Sequence, residues 1–138
     1  MTTPHSTAQT LTERIETLYG QPLAALEAHA DATPHDSMLA ALLGSLADLQ
    51  LAERSITFHR DRLRQLVHPD RSIEAFDAGH LLDNARRISE AVAIRDIQAK
   101  TLGAVLQSLH RIPVPASEPT PAPPPIPPAA PAPAVRTR

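Results

Sequence analysis

Residues 39–72 read LAALLGSLADLQLAERSITFHRDRLRQLVHPDRS, and residues 81–109 read LLDNARRISEAVAIRDIQAKTLGAVLQSL. In both runs apolar residues return at three- and four-residue intervals, the spacing that puts them on one face of a helix. In the first run the heptad seam is Leu39, Leu42, Leu46, Leu49, Glu53, Ile56, Arg60, Leu63 and Val67. In the second it is Leu81, Ala85, Ile88, Val92, Arg95, Ala99, Leu102, Leu106 and Leu109. Between them lies the break Val67-His68-Pro69-Asp70-Arg71-Ser72, where Pro69 biases His68 away from the helical region and predicts a turn. Two seamed helices joined by a short break predict a long antiparallel, coiled-coil-like helical hairpin over residues 34–111.

The seams predict a register. With Val67 level with Leu81, Leu63 faces Ala85, Ile56 faces Val92 and Leu39 faces Leu109. The same register sets Glu53 opposite Arg95, two interruptions of opposite charge at one level. They are expected to form a structural pair that fixes register, since losing one partner of a buried pair strands the other. The alternative is two solvated charges at the rim of the seam.

Outward from the hairpin, Thr33-Pro34-His35-Asp36 is a start signal: a capping hydroxyl, a proline at the first helical position and an acid in the first turn. The helix after the break is expected to begin behind Asp70 or Ser72, with Gly79 as an interruption of its first turns. Further back, Leu11, Ile15 and Leu18 share a face behind a Thr10 to Glu13 capping-box spacing, and Gly20 is a stop. Pro22 suits the start of another helix carrying Leu23, Leu26 and Ala30. Two short helices, about 8–19 and 21–31, are expected to buttress the hairpin into a small all-α bundle.

Residues 1–7 read as a disordered start and 8–112 as the helical domain. From residue 113 the composition changes: 11 of the last 26 residues are proline, a density that supplies polyproline II and coil but no core. The tail reads as a semi-rigid tether. Its PxxP spacings, such as Pro121 to Pro124, could instead serve a peptide-binding partner.

Composition narrows the function classes. Residues 1–112 carry 11 Lys and Arg against 14 Asp and Glu, so phosphate backbones are repelled, and three aromatic residues (Tyr19, Phe58, Phe76) offer no stacking platform for bases. No nucleic-acid partner is expected. Without cysteine the chain has no disulfide, thiolate metal site or cysteine nucleophile. Neither a signal peptide nor a membrane span is legible, which leads us to expect a cytoplasmic protein with no membrane partner.

The chemistry on offer is thin. His68, Asp70, Asp77, His80 and Asp83 gather around the tip, but their spacing matches no established metal motif, and they read as solvated loop residues. His59 reads as a packed or half-exposed helix residue. The serines lack a His/Asp arrangement, and the four glycines make no phosphate loop. No enzyme, cofactor or metal is expected.

Outside the seams a second stripe is apolar: Leu43, Ala47, Leu51 and Phe58 on the first long helix, and Ile94, Ile97 and Ala104 on the second. A two-helix hairpin leaves such a face wet, so it is expected to be covered by the N-terminal helices or by another subunit. The expected function is therefore a non-enzymatic protein-interaction or adaptor module with Leu51, Phe58, Ile94 and Ile97 as partner-binding residues, the partner being another protein or a second copy in a homodimer. The alternative is a small regulator acting on an enzyme or chaperone through a tip site of His68, Asp70, Arg71 and His80.

His68-Pro69-Asp70 between two helices resembles the HPD loop of the J-domain cochaperones, which stimulate the ATPase of their chaperone partner. That resemblance covers only the tripeptide, the hairpin and the basic preceding turns with Arg60, Arg62 and Arg64. Val67 stands where the family has an aromatic residue, and no Tyr-x-x-Leu-Gly helix precedes it, so the family is not adopted here.

Overall fold

A computed structural model describes residues 6–33 and 37–109, all of it helix and short connections. Four helices follow in order: α1 (Thr7–Tyr19), α2 (Leu23–Ala32), α3 (Met38–Leu66) and α4 (Ala75–Ser108). The protein is all-α, with no strand among the described residues. The expected start signal Thr33-Pro34-His35-Asp36, the disordered start read over residues 1–7 and the proline-rich tail lie wholly or in part outside the described residues; of their described members, Ser6 caps α1, Thr7 opens it and Thr33 ends α2.

Local chemistry explains most helix ends. The Ser6 hydroxyl accepts from the Gln9 N–H at the start of α1, and Gly20 closes that helix in the left-handed region at φ 68°. Ser37 does for α3 what Ser6 does for α1, accepting from the Ala40 N–H at 3.0 Å. For α4 the cap is Glu74, not Asp70 or Ser72. Glu74 and Asp77 form a reciprocal capping box, and α4 runs uninterrupted through Gly79.

Two helix starts take their caps from other helices. Pro22 precedes α2 and offers no side-chain acceptor, so Glu16 Oε1 receives the Leu23 N–H at 2.7 Å. At α1, Glu53 Oε1 reaches from α3 to accept the Ala8 N–H at 3.2 Å. A carboxylate suits either position, where unpaired N–H groups and the positive pole of the helix coincide.

The core sits at one end of the molecule. Leu39, Leu42, Leu46 and Leu49 of α3 and Leu102 and Leu106 of α4 close over Ala8, Leu11 and Ile15 of α1 and Leu26 of α2. We call this end the base. Beyond it, once past the N-terminus of α1 at Glu53 and Phe58, α3 and α4 continue alone; they pack along each other antiparallel, as the links from Asp48 to Gln98 and from His59 to Asn84 require.

The seams are displaced from heptad positions. Ala52 is buried where Glu53 was expected, and Leu66 is 1% exposed while Val67 is 53% exposed. On α4, Asn84 and Ala91 are buried one residue before the expected Ala85 and Val92. On α4, counted back from Leu102, a period of about 3.6 residues reaches Ala91 and Asn84 where a repeat of about 3.5 residues reaches Val92 and Ala85. On α3 the stripe falls one residue early, against the direction of that drift, so there the winding of the two helices and not the helical period sets it. The register moves as well: Asp48 meets Gln98 rather than the level of Lys100, and His59 meets Asn84 rather than the level of Ser89.

With that shift the expected Glu53–Arg95 pair is not formed. Glu53 turns to α1, and Arg95 pairs with its neighbour Asp96 at 2.8 Å. The slip carries Glu53 off the α3–α4 seam, where the N-terminus of α1 is the unsatisfied donor within reach.

Candidate functional site

Past the base, α3 and α4 face each other through small and polar residues. Ala52 and Ala91 are buried there, and Asn84 is buried with them. The Asn84 amide donates to the His80 carbonyl at 2.7 Å, which turns its oxygen towards His59 Nδ1 at 2.8 Å. A carbonyl only accepts, so the nitrogen of Asn84 must face His80, and the His59 proton therefore sits on Nδ1. His59 is held further by the edge of Phe58, with ring centroids 5.1 Å apart.

Small floor residues leave a groove of about 500 Å³ along the α3–α4 seam. Ala52, Ser55 and Ala91 form its floor, and Leu51 and Ile94 rise as its apolar rims. Its ends differ in charge: Asp48 and Gln98 lie towards the base, His59 and Arg87 towards the tip, with Glu90 between them. Arg87 also bonds Asp83 one turn away at 3.1 Å, and both are half-exposed.

The residues expected to bind a partner all sit in water. Leu51 is 60% exposed, Phe58 64%, Ile94 49% and Ile97 65%. Of the outer stripe, the N-terminal helices take Leu43 into partial contact with the core. They pack elsewhere because α1 is anchored by Glu53 and by its own Leu11 and Ile15, which face the base leucines. Leu51 and Ile94 share the groove, whereas Phe58 lines a second hollow between α1 and α3 with Ala8, Thr12 and Glu53. The expected face is thus a ridge, Leu51 and Phe58, standing between two hollows.

Of the alternative tip residues, Arg71 and His80 both act on Asp77, while His68 and Asp70 pair with each other on the exposed turn. Arg71 donates to the buried Asp77 at 2.7 Å, and the Glu74 N–H bonds the other Asp77 oxygen at 3.1 Å. That backbone hydrogen bond, with the Arg71 charge behind it, outweighs burial and holds the Asp77 carboxyl below its ordinary pKa. His68 Nδ1 lies 3.6 Å from Asp70, both exposed, and His80 is met by the edge of the Phe76 ring at 4.4 Å.

Residue types alone did not single out Asn84. A lone asparagine in a run of Leu, Ala and Arg reads as surface, and only the one-residue slip turns it inward. Phe76, 77% exposed beside Ile73 and Val67, is the other omission; its signal was present, as a phenylalanine in a helix start with no apolar partner three or four residues on. In comparisons with known proteins, no family model, no curated protein and no solved structure matches this chain.

Proposed function

We propose that the chain is a non-enzymatic helical interaction module: a long helical hairpin whose outer apolar face docks a protein partner, with the proline-rich segment 113–138 as a tether. The observation that carries this reading is the exposure of Leu51, Phe58, Ile94 and Ile97 midway along α3 and α4. Large apolar side chains exposed on two neighbouring helices, Leu51 and Ile94 lining one groove, stay in contact with water unless something covers them. The face is also rigid, because its side chains stand on continuous helices, so binding costs little ordering.

Photo-crosslinking in the native cell tests it. A photoreactive phenylalanine analogue at position 58 or 97 should give discrete protein adducts, and the same analogue at Glu27, on α2 away from this face, should give none. Adducts equal in kind and yield at all three positions, or none at positions 58 and 97, would overturn the reading.

One observation favours a second reading, regulation of an enzyme or chaperone through the tip around His68-Pro69-Asp70. Val67, Ile73 and Phe76 are exposed there on a turn pinned by Arg71 and Asp77. Adducts at position 76 but not at 58 or 97 would move the docking site to the tip.

A further inference from the structure

The groove between α3 and α4 is complementary to itself. Taking Asp48 level with Gln98 as the register, Leu51 and Ile94 stand at nearly one height, and Ser55 and Ala91 stand together about four residues nearer the tip. Large rims thus lie on one side of a midpoint and small floor residues on the other. A twofold axis in the plane of the face, running across the helices at that midpoint, reverses the helix direction. It lays α3 on α3 and α4 on α4 of a second copy. Leu51 then falls on the second copy's Ser55, and Ile94 on its Ala91.

Charge follows the same symmetry. Asp48, at the basal end of the groove, comes to the level of the second copy's His59 and Arg87, and the converse contact forms at the other end. Arg87 is free to turn, since its bond to Asp83 is a half-exposed pair of the kind that contributes little. By the same axis Glu90 falls at the level of the second copy's Arg95, a residue of opposite charge. A parallel arrangement would instead set each charge at its own level across the groove and large rim against large rim.

We infer, on the strength of the docking-face reading above, that the occupant of this groove is a second copy of the chain, packed antiparallel with Asp48 set against Arg87. The matched stretch from Asp48 to His59 is twelve residues, about 17 Å from end to end at the helical rise, which is short against a standard interface and places the dimer in the weak, reversible class.

Sedimentation velocity on the full chain across concentrations up to several hundred micromolar should show a monomer–dimer equilibrium. D48R and R87D should each weaken it tenfold or more, and D48R/R87D should restore it, because the reversed charges again meet between copies. All these positions are on the surface of continuous helices, so unchanged helical circular dichroism is the folding control. The chain has no cysteine, so I94C can form a disulfide only between copies. Mild oxidation should give a covalent dimer for I94C and none for L82C, which lies far from the axis. A monomer at every concentration, single reversals without effect, a double reversal that fails to restore, or equal oxidation of both cysteine variants overturns the antiparallel dimer. Photo-adducts to other proteins at position 58, with a monomeric purified chain, would defeat the dimer and leave the docking-face reading standing. Absence of any adduct defeats both.

Discussion

The base and the distal half of the α3–α4 pair are built from the same two helices and solve burial differently. At the base, Leu39, Leu42, Leu46 and Leu49 lie beneath α1 and α2, and Leu49 is fully buried. Beyond Ala52 only the N-terminus of α1 still reaches α3, at Glu53 and the hollow lined by Phe58; the buried residues become Ala91, Asn84, Asp77 and Leu66, and Leu51, Phe58, Phe76 and Leu82 face water. Length is the reason. The 13 residues of α1 span about 20 Å and the 29 of α3 about 44 Å, so the N-terminal helices can cover only one end. The base is therefore a core in the ordinary sense, while the distal half is positioned by polar pins at His59–Asn84 and Arg71–Asp77.

That difference is most easily broken at Leu49. Leu49→Ala should cost about 2–5 kcal/mol of global stability by urea denaturation, the range for emptying a fully buried leucine site, whereas Leu51→Ala, two residues on and exposed, should stay within about 0.5 kcal/mol. Equal losses would mean that the base is not the stability core.

Next in size is the polar pin. Asn84→Ala removes the partner of His59 and the donor to the His80 carbonyl and should cost about 1–3 kcal/mol. Hydrogen exchange should locate the loss, with amides of α3 and α4 around His59 and Asn84 opening faster than those around Leu46 and Leu102. Uniform acceleration would merge the two regions into one cooperative unit.

Glu53 sharpens the comparison because it belongs to the base by contact and to the distal half by sequence. Glu53→Ala should cost about 1 kcal/mol, as for loss of a helix cap, and Arg95→Ala close to nothing. Their double mutant should be additive within about 0.5 kcal/mol. Coupling beyond that would restore the Glu53–Arg95 pair.

The smallest effect is at the tip. Asp77 is held below its ordinary pKa by the Glu74 N–H and Arg71, so its contribution is complete above the ordinary carboxylate range and disappears as pH falls through the lowered value. Thermal melts from pH 6 down to pH 2 should show Asp77→Asn losing stability near neutrality and converging on the wild type in acid. Parallel curves would remove Asp77 from the linkage.

Much of this was legible in residue order. The base leucines follow from their spacing, since a seam counted from Leu39 has not yet drifted by Leu49. Gly20 and Pro22 announce ends of the short helices by local chemistry, whereas the cap of α1 is Ser6, and the Thr10 to Glu13 spacing read as a capping box lies inside the helix. The distal half was less legible because its buried stripe is set by how α3 and α4 wind on each other, which a heptad count does not carry. By Leu66 a 3.5-residue repeat points at Val67 instead, and by Asn84 it points at Ala85. The outer face was legible as exposed apolar residues, but its division into a ridge between two hollows was not.

By itself, the sequence determined that this chain is helical, where its four helices fall and which leucines lead the core, because apolar period, caps and breakers act within a few residues. Only the tertiary structure decided that Glu53 serves α1 rather than Arg95, that Asn84 turns inward to His59, and that Leu51 and Ile94 stand over a floor of small side chains. Those outcomes depend on how two long helices drift around each other and on where a short third helix stops, quantities set by packing over tens of ångströms.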